Sequence, residues 1–281
     1  MRIDSALHNT AASPTRRRSA ALGIAEMLPG RLPSSEVVRR SFCTVRDVLS
    51  NDEQAIALRA VPGDIRRQQM SFGRLQQFVS QLDLARFGLT QGMRLCICVP
   101  NGPEAALAFL ACSIYCTCAP LNPCLTAAEV AFEFEDLPAA ACIVQRGEDN
   151  TIVLHECERA RVLAIELLPS IDVVGEFSLS AQRPSGTPPV TVERELGARS
   201  DVALVLHTSG TTAKPKIVPL NHENLTVGAL QIAACLPLDG QRSVNLNVRL
   251  ASPPWPISGC PLTLKPSFSV CCSTSARPSL M

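Results

Sequence analysis

A run of nine residues, TSGTTAKPK at positions 208–216, has the composition of a loop that binds a polyphosphate. Its members with suitable chemistry are Thr208, Ser209, Gly210, Thr211, Thr212, Lys214 and Lys216. Hydroxyl and backbone donors suit phosphate oxygens, glycine lets the backbone approach closely, and lysine supplies positive charge. The run is not a Walker A loop, because Ala213 rather than glycine precedes Lys214 and Pro215 follows it. A Ser/Thr-rich surface turn without a ligand is the alternative interpretation.

Two histidines flank this run. His207 directly precedes it, and two interpretations of its side chain stay open, approach to a substrate or structural packing. His222 follows the run by six residues, and we expect it to pack or to cap a helix. No residue is assigned a catalytic role.

The elements that must position the run alternate between helix and strand. Apolar spacing and capping residues predict, in chain order, a helix capped by Ser71 and ended by Gly88, a strand at 94–99, a helix at 104–118, a helix capped by Thr126 and Glu129, strands at 139–144, 161–165 and 201–206, a short strand at 217–218, and a helix capped by Asn221. This alternation predicts an α/β fold with a mostly parallel sheet and helices on both faces.

Composition limits the partners and the compartment. The 26 basic and 25 acidic residues leave a net charge of +1, which gives no argument for nucleic acid, so small molecules are the expected partners. The thirteen cysteines lie largely in apolar runs, which favours reduced thiols in the cytosol or an organelle matrix, mitochondrial or peroxisomal, with a zinc site as the alternative. The uncharged stretch 105–121 is at the lower length limit for a membrane span, and we expect a buried helix there instead.

The stretch 205–225, VLHTSGTTAKPKIVPLNHENL, resembles the phosphate-loop signature of the AMP-dependent synthetase and ligase family, whose members form acyl-adenylates. Upstream, 71–82 and 94–144 resemble the family's first helix and its next strand, helix, helix and strand, so the resemblance covers about 44–247. The APLNP run and the His-Thr-Ser opening are most similar to acyl-CoA synthetases of the oxalate-CoA-ligase-like branch.

The resemblance implies a two-step reaction on a carboxylic acid. The carboxylate attacks the α-phosphate of ATP with Mg²⁺ bound, and coenzyme A then displaces AMP from the acyl-adenylate. Residues 208–216 would wrap the β- and γ-phosphates, with Thr208 as a magnesium contact and Lys216 as the motif lysine, whereas Lys214 occupies a variable position and is expected to be solvated. Ala213 and Ile217 stand where the family often has glycine.

Three segments are expected: a disordered or targeting leader at 1–40, a partial AMP-binding domain at 41–247, and a disordered, unrelated tail at 248–281. The tail contains no acidic residue, and the family's later adenine, ribose and adenylation motifs have no counterpart in it. It is interpreted as out-of-frame or unspliced sequence. We therefore expect a truncated fragment that is incomplete as a catalyst, the alternatives being a non-catalytic nucleotide-binding or interaction module and a non-functional gene model. The acid and the oligomeric state are not readable from the sequence.

Overall fold

The computed structural model describes residues 44–49, 51–59, 64, 66–181, 192–193, 195–208, 215–235, 244–247 and 269–272. Its strands are β1 (Ile56–Leu58), β2 (Met70–Ser71), β3 (Arg94–Cys98), β4 (Thr117–Pro120), β5 (Ala139–Gln145), β6 (Leu163–Pro169), β7 (Phe177–Ser180), β8 (Val202–Thr208), β9 (Lys216–Asn221), β10 (Val244–Asn247) and β11 (Ser269–Cys272). Its α-helices are α1 (Phe72–Gln81), α2 (Pro103–Cys112), α3 (Ala127–Asp136), α4 (Thr151–Ala160) and α5 (His222–Cys235), and short 3-10 helices span Val45–Val48 and Ala85–Phe87.

Seven strands form the central sheet in the order β7-β6-β5-β3-β4-β8-β9. The inner strands from β6 to β8 pair in parallel, and only the two outermost strands, β7 and β9, run antiparallel to their neighbours. The predicted mostly parallel α/β sheet is therefore confirmed. Two further antiparallel pairs, β1·β2 and β10·β11, lie outside this sheet.

Helices pack on both faces of the sheet because the chain reverses its direction of winding at β4. From β3 it moves to β4 on one side, and it then crosses back to β5 and β6 on the other, so right-handed crossovers place α2 and α3 on opposite faces. Strand β3 shows the result: Leu95 and Ile97 join one buried cluster, and Cys96 and Cys98 join the other. A strand buried on both faces reads as a continuous apolar run, as RLCIC does.

The described cysteines behave as small apolar core residues. The eight whose side chains the structure describes are free thiols, and seven of these, all but Cys124, are buried. Burial raises the pKa of the Cys98 and Cys116 thiols to about 12, so neither is a thiolate at neutral pH. Within the described ranges no group of three or more His, Cys, Asp or Glu side chains could hold a metal ion, so nothing there supports the zinc alternative.

Local capping signals fix the starts of two helices as predicted. The hydroxyl of Ser71 accepts a hydrogen bond from the backbone N–H of Arg74 at the start of α1. At α3, Thr126 Oγ1 accepts from the Glu129 N–H, and the Glu129 carboxylate accepts from the Thr126 N–H at 2.8 Å. This reciprocal pair satisfies donors that a helix start otherwise leaves without partners.

Two predicted helix ends are wrong. Helix α1 ends at Gln81, and Gly88 instead ends the 3-10 helix Ala85–Phe87, where it adopts a left-handed conformation with φ of 78°. The helix predicted to reach residue 118 ends at Cys112, and the chain then enters β4, which pairs in parallel with β3. Pairing with β3 outweighs the helical tendency of the alanine- and cysteine-rich run.

The short strands escaped sequence analysis because two to four residues establish no periodicity. These are β1, β2, β7, β10 and, within the tail, β11, which pairs antiparallel with β10. The remaining residues of 248–281 lie outside those that the structure describes, as does the whole leader 1–40. Among the described helices none is long and apolar enough to cross a membrane.

The start of α5 is a buried polar junction. Asn221 caps the helix as predicted, because its Oδ1 accepts from the Asn224 N–H at 2.8 Å. The next residue, His222, is fully buried, and its Nδ1 accepts from the Val45 N–H at 3.4 Å. A Cβ atom on Gly197 would lie 2.4 Å from His222 Nε2, so only glycine fits beside the ring. The expected packing role of His222 agrees with this environment.

Replacing Thr126 with alanine tests the cap of α3. Loss of the hydroxyl leaves the Glu129 N–H without its side-chain acceptor, and we expect the free energy of unfolding to fall by about 1 kcal/mol. Urea denaturation followed by circular dichroism measures the change. Thr126→Ser keeps the hydroxyl and serves as the matched control. Equal stability of the alanine variant and the wild type would contradict the capping assignment.

The environment of His222 predicts a pH-dependent stability. Burial lowers the pKa of His222, and the nearby carboxylates of Asp201 and Asp47 only partly oppose this. A base whose pKa is lowered by folding contributes stability that is complete above its unfolded pKa, about 6.5, and is lost as the pH falls below it. We expect the unfolding temperature to fall between about pH 7 and about pH 5.5 more steeply than in His222→Gln. Parallel pH profiles of the two proteins would refute the assignment.

Candidate functional site

The chain around positions 208–216 leaves the sheet at the edge where parallel α/β folds bind ligands. Strand β8 runs parallel to β4, so its last residue, Thr208, lies at the carboxyl edge of the parallel strands. The helices after β3 and β4 pack on opposite faces, which makes this edge a topological switch point. Such points carry ligand-binding crevices in open α/β sheets.

Pairing of β8 with β9 holds the two ends of the run together. Thr208 lies opposite Lys216, and His207 lies opposite Ile217, in the antiparallel register. The side chain of Lys216 is exposed at the first position of β9. Residues 209–214, which include the predicted Ser209, Gly210, Thr211 and Thr212, lie outside the described residues, as does Lys214. Their phosphate contacts and the magnesium contact of Thr208 stay predictions.

His207 is held by two carboxylates of α3. Its ring Nε2 lies 2.7 Å from Asp136 Oδ2, its Nδ1 contacts Glu133 Oε2, and its side chain is only 8% exposed. The ring also lies against Phe132, with 5.9 Å between the ring centroids. Of the two interpretations of His207, these contacts favour the structural one.

The two carboxylates make the ring more basic. Hydrogen bonding to Glu133 raises the pKa of His207 above its ordinary value, burial opposes the rise, and Asp136 adds to it. When both ring nitrogens carry a proton, each donates to its own carboxylate. Sequence analysis missed Glu133 and Asp136. Their spacing of three on a helix indicates a shared face, but no local signal identifies a partner 71 residues away.

The carboxyl end of β8 has little support from β4. The register between the two strands consists of one pair, Cys118 with Leu204, and the hydroxyl of Thr117 donates to the Val202 carbonyl at 2.7 Å. Both contacts lie in the first half of β8. Near Thr208, the described residues that hold β8 are those of β9 and the carboxylates of α3.

This edge of the sheet carries a group that can bind an anion. Lys216 places an exposed cation at the end of the run, at the edge of the sheet where folds of this class carry their ligand crevices. The described residues there include no acid–base pair aimed at a reacting centre, because the one paired histidine is engaged by Glu133 and Asp136. The described part gives no basis for assigning a catalytic residue.

Comparisons with known proteins identify relatives that are named as CoA ligases. The chain is 32% identical over 157 residues to oxalate–CoA ligase of Saccharomyces cerevisiae, covering 49% of this chain and 29% of that enzyme. It is 28% identical over 150 residues to 4-coumarate–CoA ligase 1 of Petroselinum crispum, covering 53% of this chain and 26% of that enzyme. The chain thus spans less than a third of these relatives.

The similar solved structures have a lower sequence identity to this chain than these relatives do. ATP-bound MatB from Rhodopseudomonas palustris is 21% identical, with 67% of this chain and 37% of that protein covered and a TM-score of 0.49. A long-chain-fatty-acid–CoA ligase, FadD1, from Archaeoglobus fulgidus is also 21% identical, with coverages of 74% and 41% and the same TM-score.

The family comparison covers most of the chain. Residues 47–260 match the model of the AMP-binding enzyme family, and this span includes the entire central sheet and the run at 208–216. The matched span also extends past Asn247, where the sequence resemblance ends. A match over more than half of its length, with the phosphate-loop signature at the carboxyl edge of the sheet, shows that this chain belongs to the AMP-binding enzyme family.

Proposed function

We propose that this chain carries the polyphosphate-binding part of an AMP-forming acid–CoA ligase and binds Mg-ATP at residues 208–216. The observation that carries the proposal is the position of this run, between β8 and β9 at the carboxyl edge of the parallel strands. The relatives named as CoA ligases support the reaction class. The acid that would be activated is not assigned.

The residues of the run would contribute to binding in two ways. The ammonium group of Lys216 neutralises charge on the β- and γ-phosphates, and hydroxyl and backbone donors of 208–212 orient the chain of phosphates. Bound Mg²⁺ would supply further neutralisation of phosphate charge, with Thr208 as its contact. Held in this way, the α-phosphate presents its face to an attacking carboxylate, and pyrophosphate is the leaving group. Positioning and charge neutralisation are the contributions that this run makes.

We propose further that these 281 residues bind ATP but do not complete the ligase reaction alone. No Asp or Glu follows Asp239, so no carboxylate is present there to hold ribose or magnesium. The coverage of 29% of the yeast relative agrees with a fragment. A non-catalytic nucleotide-binding module is the second candidate, and it is favoured by the same lack of acids. The free thiols of the described cysteines support a reducing compartment, the cytosol or an organelle matrix.

Replacing Lys216 with alanine tests the proposed phosphate contact. Removal of a charged hydrogen-bond donor costs about 1.5–3 kcal/mol, so we expect the Kd for Mg-ATP to rise by at least about tenfold. Isothermal titration calorimetry on the full chain measures the affinity. Lys214→Ala is the matched control, because that lysine is expected to be solvated and its loss should leave the Kd within about twofold. Equal losses in the two variants would point to a nonspecific charge effect, against the proposed site.

Carboxylate-dependent exchange between ATP and radiolabelled pyrophosphate tests completeness. We expect binding of Mg-ATP without exchange above background for oxalate, 4-coumarate or a fatty acid. If the chain is incomplete, loss of Lys216 should leave the exchange rate at background, so Lys216→Ala serves as the blank. Exchange that depends on one of these acids and is lost in Lys216→Ala would establish an active adenylating enzyme and overturn the proposal of incompleteness.

A further inference from the structure

The last residues of β8 extend beyond the strand that should support them. The register of β4 with β8 is the single pair Cys118 and Leu204, and β4 itself ends at Pro120. In that register Pro120 lies level with Leu206, so His207 and Thr208 are the residues of β8 past the end of β4. In the described part of the chain, their strand pairing is with β9 alone, and β9 is the outermost strand of the sheet. A two-stranded extension of this kind is marginally stable without further packing.

His207 supplies that packing from within the extension. Its nearly buried ring contacts Glu133 and Asp136, which lie three residues apart on one face of α3. Helix α3 is itself well anchored, because Val130 and Phe134 are buried in the core and Thr126 and Glu129 cap its start. The contacts therefore connect the free end of β8 to a fixed part of the molecule.

The type of side chain matters for this connection. Imidazole has two nitrogens at opposite sides of a rigid ring, so one residue reaches two separate carboxylates without bending the strand. Hydrogen bonds to charged groups are stronger than neutral ones and fix the direction of the donor. An apolar residue of similar size would fill the same space but leave Glu133, which is mostly buried, without a cation.

We propose that His207 is a positioning residue, which through Glu133 and Asp136 fixes the carboxyl end of β8 on α3 and thereby positions Lys216, which pairs opposite Thr208, to bind the phosphates of a nucleotide. That the ligand is a nucleotide rests on the proposed function. The contact of His207 with α3 and its effect on β8 do not depend on that function. His207 touches no phosphate in this scheme, and Lys216 and the run itself make the binding contacts.

The experiment compares four variants with the wild-type full chain. His207→Gln removes one of the two ring contacts and the charge, and Asp136→Asn weakens one contact at a carboxylate that is 37% exposed. Glu223→Gln is the matched control, because it breaks the ion pair of Arg199 with Glu223, a carboxylate of similar exposure, 35%, near the opposite end of β8. Asp136→Asn keeps the test valid if His207→Gln does not fold.

Two measurements separate positioning from general stability. Amide hydrogen exchange without nucleotide reports on 205–208 and 216–218, and calorimetry reports the Kd for Mg-ATP. We expect His207→Gln and Asp136→Asn to speed exchange at these amides and to raise the Kd by about tenfold, the loss expected for one charged hydrogen bond. The control should change neither by more than about twofold. His207→Lys, which again presents a cation to the carboxylates, should return the Kd toward the wild-type value.

The outcomes distinguish this inference from the proposed function. If the wild type fails to bind Mg-ATP, the proposed function is wrong, and the exchange rates alone decide whether His207 fixes the strand. If the wild type binds and His207→Gln binds equally well, the positioning role is overturned, whatever the exchange rates show. A loss of affinity in Glu223→Gln equal to that in Asp136→Asn would reduce the role of His207 to general stability and would also overturn the inference.

Discussion

The parallel pairing of β8 with β4 is the constraint on which the location of the site depends. Because β8 shares the direction of β4, its carboxyl end lies at the same edge as the ends of β3 and β5, where the switch of winding opens a crevice. Thr117 contributes to this alignment by donating a hydrogen bond to the Val202 carbonyl. A reversed β8 would carry the same nine residues to the opposite edge, away from that crevice.

Two histidines show how the surroundings decide what one residue type does. His207 meets two carboxylates, which raise its pKa and favour the protonated ring that links β8 to α3. His222 meets a backbone donor in a buried junction, where burial lowers its pKa and its neutral ring acts as an acceptor. Both lie within seven residues of the phosphate run, yet one connects by charge and the other by packing. Changes of pH therefore affect the two sides of the run with opposite sign.

Local chemistry made part of this structure predictable. The caps at Ser71, Thr126 and Asn221 act within four residues, and β3 shows its burial in an unbroken apolar run, so sequence alone located these elements. Strand β4 was missed because its formation depends on pairing with β3, more than twenty residues earlier in the chain. The same holds at the site. The run at 208–216 is recognisable from its composition, whereas the partners of His207 are fixed only when α3 packs on the second face of the sheet.

The position of the run near the margin of the sheet also bears on what the chain can do as it stands. In the described part, only β9 lies outside β8, and β9 contains Pro219, a residue that sheets tolerate at their edges because it has no N–H to donate. The parallel strands and the two layers of helices bury a core on both faces, and Val205 of β8 belongs to it. Catalysis places a different demand on the chain, because adenylation needs groups that face the phosphates from across the crevice. A stable sheet with a phosphate run at its margin is thus physically reasonable as a binding unit even where the reacting groups must come from elsewhere, and binding and turnover are separate properties of this chain.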